Sequence, residues 1–94
     1  MQFFSVLMSV YKNEKLYHMK KDINNIKENI SLFQEELENN LDKLSSCTIN
    51  ETKRIMELSS LIYDYASNLS HERRILAHKI EELNEFIEVD VIEE

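Results

Sequence analysis

From Leu16 onward the apolar positions return in alternating steps of three and four: Leu16, Met19, Ile23, Ile26, Ile30, Phe33 and Leu37, then Asn40 and Leu44. A repeat of about 3.5 residues keeps one narrow stripe turned toward a partner helix, so the spacing predicts a coiled-coil-like helix over about residues 12–45. The stepping ends at Leu44, where Ser45-Ser46-Cys47-Thr48 gathers the small polar residues that interrupt a helix. Thr48 followed by Glu51 fits a capping box, in which the threonine oxygen accepts from an early backbone amide and the glutamate accepts from the threonine amide. A second helix is therefore expected over about residues 50–86. It carries Ile55, Leu58, Ile62, Tyr65 and Leu69, loses the pattern at Glu72 and Arg73, and resumes at Leu76, Leu83 and Phe86. A connector this short makes the helices antiparallel. The fold class is all-α, an antiparallel two-helix hairpin forming one domain over residues 1–94. With the fold point near Cys47, Arg73 comes level with Asp22, and an ion pair is expected there.

The flanks of the two stripes differ. Beside the first stripe stand Lys15, Asp22, Asn29, Glu36 and Lys43 on one side, and Lys20, Lys27 and Gln34 on the other. One partner helix satisfies such a helix. Beside the second stripe Met56, Leu61, Tyr63, Ala66, Ile75 and Ile80 add apolar surface, as on a helix that touches more than one neighbour. Contiguous exposed apolar patches of more than a few hundred Å² mark interfaces. These six residues are the expected partner interface, and the hairpin is expected to complete a bundle with itself or with a second helical protein. The competing expectation is that residues 1–11 fold back as a third element and cover the patch.

Both ends of the chain read two ways. Phe3, Phe4, Val6, Leu7, Met8, Val10 and Tyr11 extend the first helix or form a strand. Ile87, Val89 and Val91 alternate with Glu88 and Asp90, which also reads as a strand. A short β pairing of residues 2–10 with 86–92 is the alternative to helical ends. Met1–Tyr11 is about half the ~20 residues a bilayer span needs, and it carries neither a basic leader nor a small-residue cleavage site. It is expected to be buried against protein rather than in a membrane.

Composition narrows the function classes. The 94 residues include no glycine and no proline. Glycine supplies the positive φ and close backbone approach that phosphate-cradling loops and tight β turns need, so nucleotide motifs and compact β folds are excluded. A net charge of −7 opposes a nucleic-acid ligand, which requires a basic surface. Cys47 is the only cysteine, so no internal disulfide forms, and a cytoplasmic setting or export by a leaderless route is expected. Glu14 with His18, and His78 with Glu82, each sit one helical turn apart, as in the carboxylate and histidine sites of helix bundles. Both histidines fall two residues past a stripe position and are expected to point outward, so no metal, cofactor or small-molecule substrate is assigned. No nucleophile, base and orienting group can be argued from spacing, and the chain is expected not to be an enzyme. The carboxylates Glu81, Glu82, Glu85, Glu88, Asp90, Glu93 and Glu94 form a run without a basic residue, either a solvated tail or a docking surface for a basic partner.

Residues 4–14, Phe-Ser-Val-Leu-Met-Ser-Val-Tyr-Lys-Asn-Glu, resemble the opening strand of family-2 glycosyltransferases. The likeness covers about a dozen residues and has no Asp-x-Asp to follow it, so glycosyl transfer is not implied. The layout resembles the small helical-hairpin proteins of type VII secretion, the Trp-x-Gly group and the targeting partners of larger toxins. In that likeness Phe86 and Asp90 would form the aromatic-x-x-x-acid signal after the second helix, although no Trp-x-Gly stands in the turn. Ser60-Leu61-Ile62-Tyr63-Asp64 is similar to the Ser-x-x-x-Asp element of two-helix phosphatases acting on response regulators, which would make Asp64 the group beside a phosphoaspartate. The expected function is a non-catalytic protein-interaction module packing through its second helix, as an adaptor or secretion partner. Two alternatives stand beside it: an acidic inhibitor of phage or plasmid type that blocks a basic groove, and the phosphatase-like regulator.

Overall fold

The computed structural model describes residues 2–93, with the side chains of residues 6–88. Two α-helices fill it, α1 (Gln2–Ser45) and α2 (Thr52–Glu93), joined by a six-residue connector. They run antiparallel as a rod with extents of 76 × 17 × 13 Å and a radius of gyration of 21.3 Å. A compact chain of this length would have a radius near 12 Å. Among the described residues there is no strand, and residues 2–10 and 86–92 are helical, which corrects the β alternative for the ends. The first helix begins about ten residues earlier than expected and the second ends about seven later. With no glycine or proline to stop it, each further residue adds a backbone hydrogen bond to a helix already nucleated. An isolated two-stranded pairing has no such gain. Residues 2–11 continue the line of α1 and make no third element.

The connector turns without any residue at positive φ. Side chains and backbone groups close it instead. The amides of Ser46 and Cys47 donate to the carbonyls of Lys43 and Leu44, at 3.3 and 3.1 Å, and finish α1. The Glu51 amide donates to the Thr48 carbonyl at 2.9 Å, making a turn ahead of α2. Half of the expected capping box is present: the Thr48 amide donates to Glu51 Oε1 at 3.2 Å. The threonine hydroxyl is turned to the same carboxylate oxygen, 3.3 Å away, and not to a helical amide. The first helical bond runs from the Ile55 amide to the Glu51 carbonyl, so Glu51 is the residue that opens α2.

The two stripes meet along the rod. Every residue of the α1 stepping from Leu16 to Leu44 is buried or half-buried, as are Ile55, Leu58, Ile62, Tyr65, Leu69, Leu76, Leu83 and Phe86 of α2. The core is one side chain thick. Its most enclosed apolar members are Leu58 and Leu69, each 6% exposed, and Ile26. Glu72 and Lys79 occupy the stripe positions that the apolar pattern skips, and both stay half-exposed. Asn40 is the buried polar residue of the seam at 5% exposure, and its amide donates to the Glu36 carbonyl at 2.7 Å. Phe33 packs against Tyr65 with ring centres 6.5 Å apart, and the Lys15 ammonium lies 5.1 Å from the centre of the Phe86 ring. These contacts mirror the pairing about Ile49 and Asn50 rather than Cys47. Asp22 is therefore level with the turn Leu76–Lys79, one turn beyond Arg73. Asp22 and Arg73 are both exposed and form no ion pair, contrary to expectation.

Candidate protein-interaction surface

Whatever the seam does not use is left on the outside of the rod. The chain exposes 7693 Å², against about 5,700 Å² for a compact chain of the same mass. Most of its exposed large apolar side chains gather in two places, apart from Tyr17, Leu32 and Leu41 on α1 and Ile49 in the connector.

The first is α2. Tyr63 is 73% exposed, Met56 68%, Leu61 44% and Ile80 41%, while Ala66 is exposed and Ile75 half-buried. Helical geometry sorts the six into two strips. Met56, Tyr63, Ala66 and Ile80 follow the seam on one flank, with Ile87 continuing the line. Leu61 and Ile75 lie on the other flank, beyond the stripe that faces α1. A single flat contact cannot reach all six. The first strip is the richer, and midway along it a shallow open groove is lined by Ala66, Ser70, Arg73 and Ala77, with Leu37 and Leu69 alongside. A second shallow depression follows Tyr63, Ser67, Ser70, His71 and Arg74.

The second place is the start of α1. Carried back from Leu16, the three-four stepping falls on Lys12 and Ser9, while Val6, Leu7, Met8, Val10 and Tyr11 are exposed. Polarity is inverted in these turns: the seam positions are polar and the outward positions apolar. Sequence reading expected this segment to be buried, yet the hairpin does not cover it. The sign was present in the stepping itself, since Ser9 and Lys12 continue it.

The remaining candidates stand apart. His18 is exposed and meets Tyr17 edge to face at 5.5 Å, not Glu14. His78 Nε2 lies 3.0 Å from Glu82 Oε1, with Lys79 on the other oxygen at 3.7 Å. Among the described residues no three histidines, cysteines or carboxylates gather as a metal site would require. Asp64 and Ser60 are both exposed on α2. Phe86 is half-buried beneath Lys15, and the side chain of Asp90 lies outside the described residues. Cys47 is half-buried in the connector, its thiol 3.3 Å from the Lys43 carbonyl. Among the described residues no helix is long and apolar enough to cross a membrane.

No protein-family model, no curated protein and no solved structure matches this chain.

Proposed function

We propose that this chain is a non-catalytic interaction module that packs against other protein through α2, as an adaptor or as the export partner of another chain. One observation carries the reading: α2 satisfies α1 with its seam and still holds Met56, Tyr63 and Ile80 in water along one flank. Keeping such side chains solvated forgoes about 25 cal/mol for each Å² of apolar surface. The single-layer seam supports the non-catalytic part of the reading, because a reaction site needs convergent groups held by a packed shell. A cytoplasmic setting fits a lone free thiol.

The test is co-purification of the tagged chain from the cells that make it, against a variant carrying Met56→Glu and Tyr63→Glu. The variant should keep its helical circular dichroism and lose the proteins that the native chain holds. Recovery of the same proteins with both would overturn the reading.

A second reading, an acidic inhibitor, draws on the exposed carboxylates Glu81, Glu85 and Glu88 at the end of α2. Its complex would weaken steeply between low and high salt, whereas apolar helix packing would not.

A further inference from the structure

The richer flank of α2 has an internal symmetry. It begins with Met56 and ends with Ile87, both large, apolar and exposed. One step in from either end come Ser59 and Asn84, then Tyr63 and Ile80, then Ala66 and Ala77. Ser70 and Arg73 flank the centre. The four outer pairs thus match in size or polarity from both directions, while the central Ser70 and Arg73 differ.

We infer that the occupant of this flank is a second copy of the chain, packed α2 to α2 in antiparallel fashion about a two-fold axis between Ser70 and Arg73. The inference rests on the proposed use of α2 as a docking helix and names its partner. A two-fold axis places residue i against j and j against i, so a strip that mirrors itself along a helix is complementary to its own reverse. Met56 of one copy then meets Ile87 of the second copy, Tyr63 meets Ile80, and Ala66 meets Ala77. The steps between these positions alternate three and four, which is the geometry of knobs entering holes. Alanines near the middle, where the groove lies, allow the helices to approach closely.

Charge points the same way. In this pairing Lys53 of each copy comes level with Glu88 of the second copy on the outer edge of the contact, and both side chains are exposed. A parallel pairing would instead set Glu81, Glu85 and Glu88 of the two copies side by side. Arg73 and Arg74 fall near the axis, where Ser67 and Ser70 of the second copy offer hydroxyl oxygens as acceptors. The arginines still repel across the axis, so the association is moderate. A standard interface takes about 800 Å² from each partner, and Met56 to Ile87 offers a contact line of about 46 Å along α2. On the same side of the rod α1 presents mainly polar residues, Lys20, Asn24, Lys27 and Gln34, with Tyr17 and Leu41 as exposed apolar members nearer its ends, which leaves α2 as the main contact.

Light scattering up to about 100 μM should give the mass of two chains, and Tyr63→Glu should return it to one. In a Cys47→Ser background, Ala66→Cys and Ala77→Cys together should link the dimer on mild oxidation, and either one alone should not. Residue 66 and its own copy would be separated by about 16 Å along the axis, well beyond the roughly 7 Å limit for a disulfide. A monomer at every concentration overturns the second copy and leaves the proposed function standing. A dimer that survives Tyr63→Glu overturns this flank as its seat and likewise leaves the proposed function to its own test. Efficient linking through a single cysteine overturns the antiparallel arrangement alone.

Discussion

Helices α1 and α2 are nearly equal in length, 44 and 42 residues, and each gives one stripe to the same seam. Between Leu16 and Leu44, α1 is polar beside that stripe over most of its length, with Tyr17, Leu32 and Leu41 as isolated exposed apolar residues. From Met56 to Ile87 α2 carries a second strip beside the first. Positions that decide the fold are thus separate from the exposed apolar positions of α2. The stripe sets the hairpin, and in the proposed reading the flank sets its valence.

The largest effect that would test this division comes from the stripe itself. Ile26→Ala, Leu58→Ala and Leu69→Ala should each cost about 2–4 kcal/mol, read as thermal melts below the concentration of self-association. If the helices share one seam, the α1 and α2 substitutions will cost alike; a large cost on one helix only would break the equivalence. An intermediate effect belongs to Asn40, the buried amide of the α1 stripe. Asn40→Leu should raise stability by about 1 kcal/mol, since a polar seam residue specifies register at a cost in stability. A fall in melting temperature would show that its bond to the Glu36 carbonyl contributes more than the leucine would. The smallest effect should come from the flanks. Tyr63→Gln on α2 and Leu32→Gln on α1 should each change the stability of the single chain by less than about 0.5 kcal/mol. Of the two, only Tyr63→Gln should alter the mass in solution.

Most of the fold was legible because a three-four repeat over nine positions has few other interpretations. Leu16 to Leu44 reads as one face of one helix, and the structure turns that face inward throughout. Boundaries were harder. Val6, Val10 and Tyr11 favour strands in a sheet, but there is no sheet for them to join, and helix propagation takes them. The register differs from the expected one because Ser45 still belongs to α1 and the turn proper spans Thr48–Glu51, a few residues beyond Ser45-Ser46-Cys47. Of the six α2 residues expected at an interface, Ile75 is half-buried and shares a flank with Leu61 alone. A list of apolar residues outside a stripe does not say on which side each lies until heptad positions are assigned. The mirrored order of Met56 to Ile87 was equally present in the sequence, and it becomes visible only once that flank is separated from the other.

Cys47 sits at the bend and is the chain's only thiol. A single maleimide reaction therefore attaches one chromophore at one apex of a long, thin object. Energy transfer from that apex would report the polarity of any assembly the rod enters. Bright transfer between labelled copies would mean tips gathered at one pole, and dark pairs would mean tips at opposite poles.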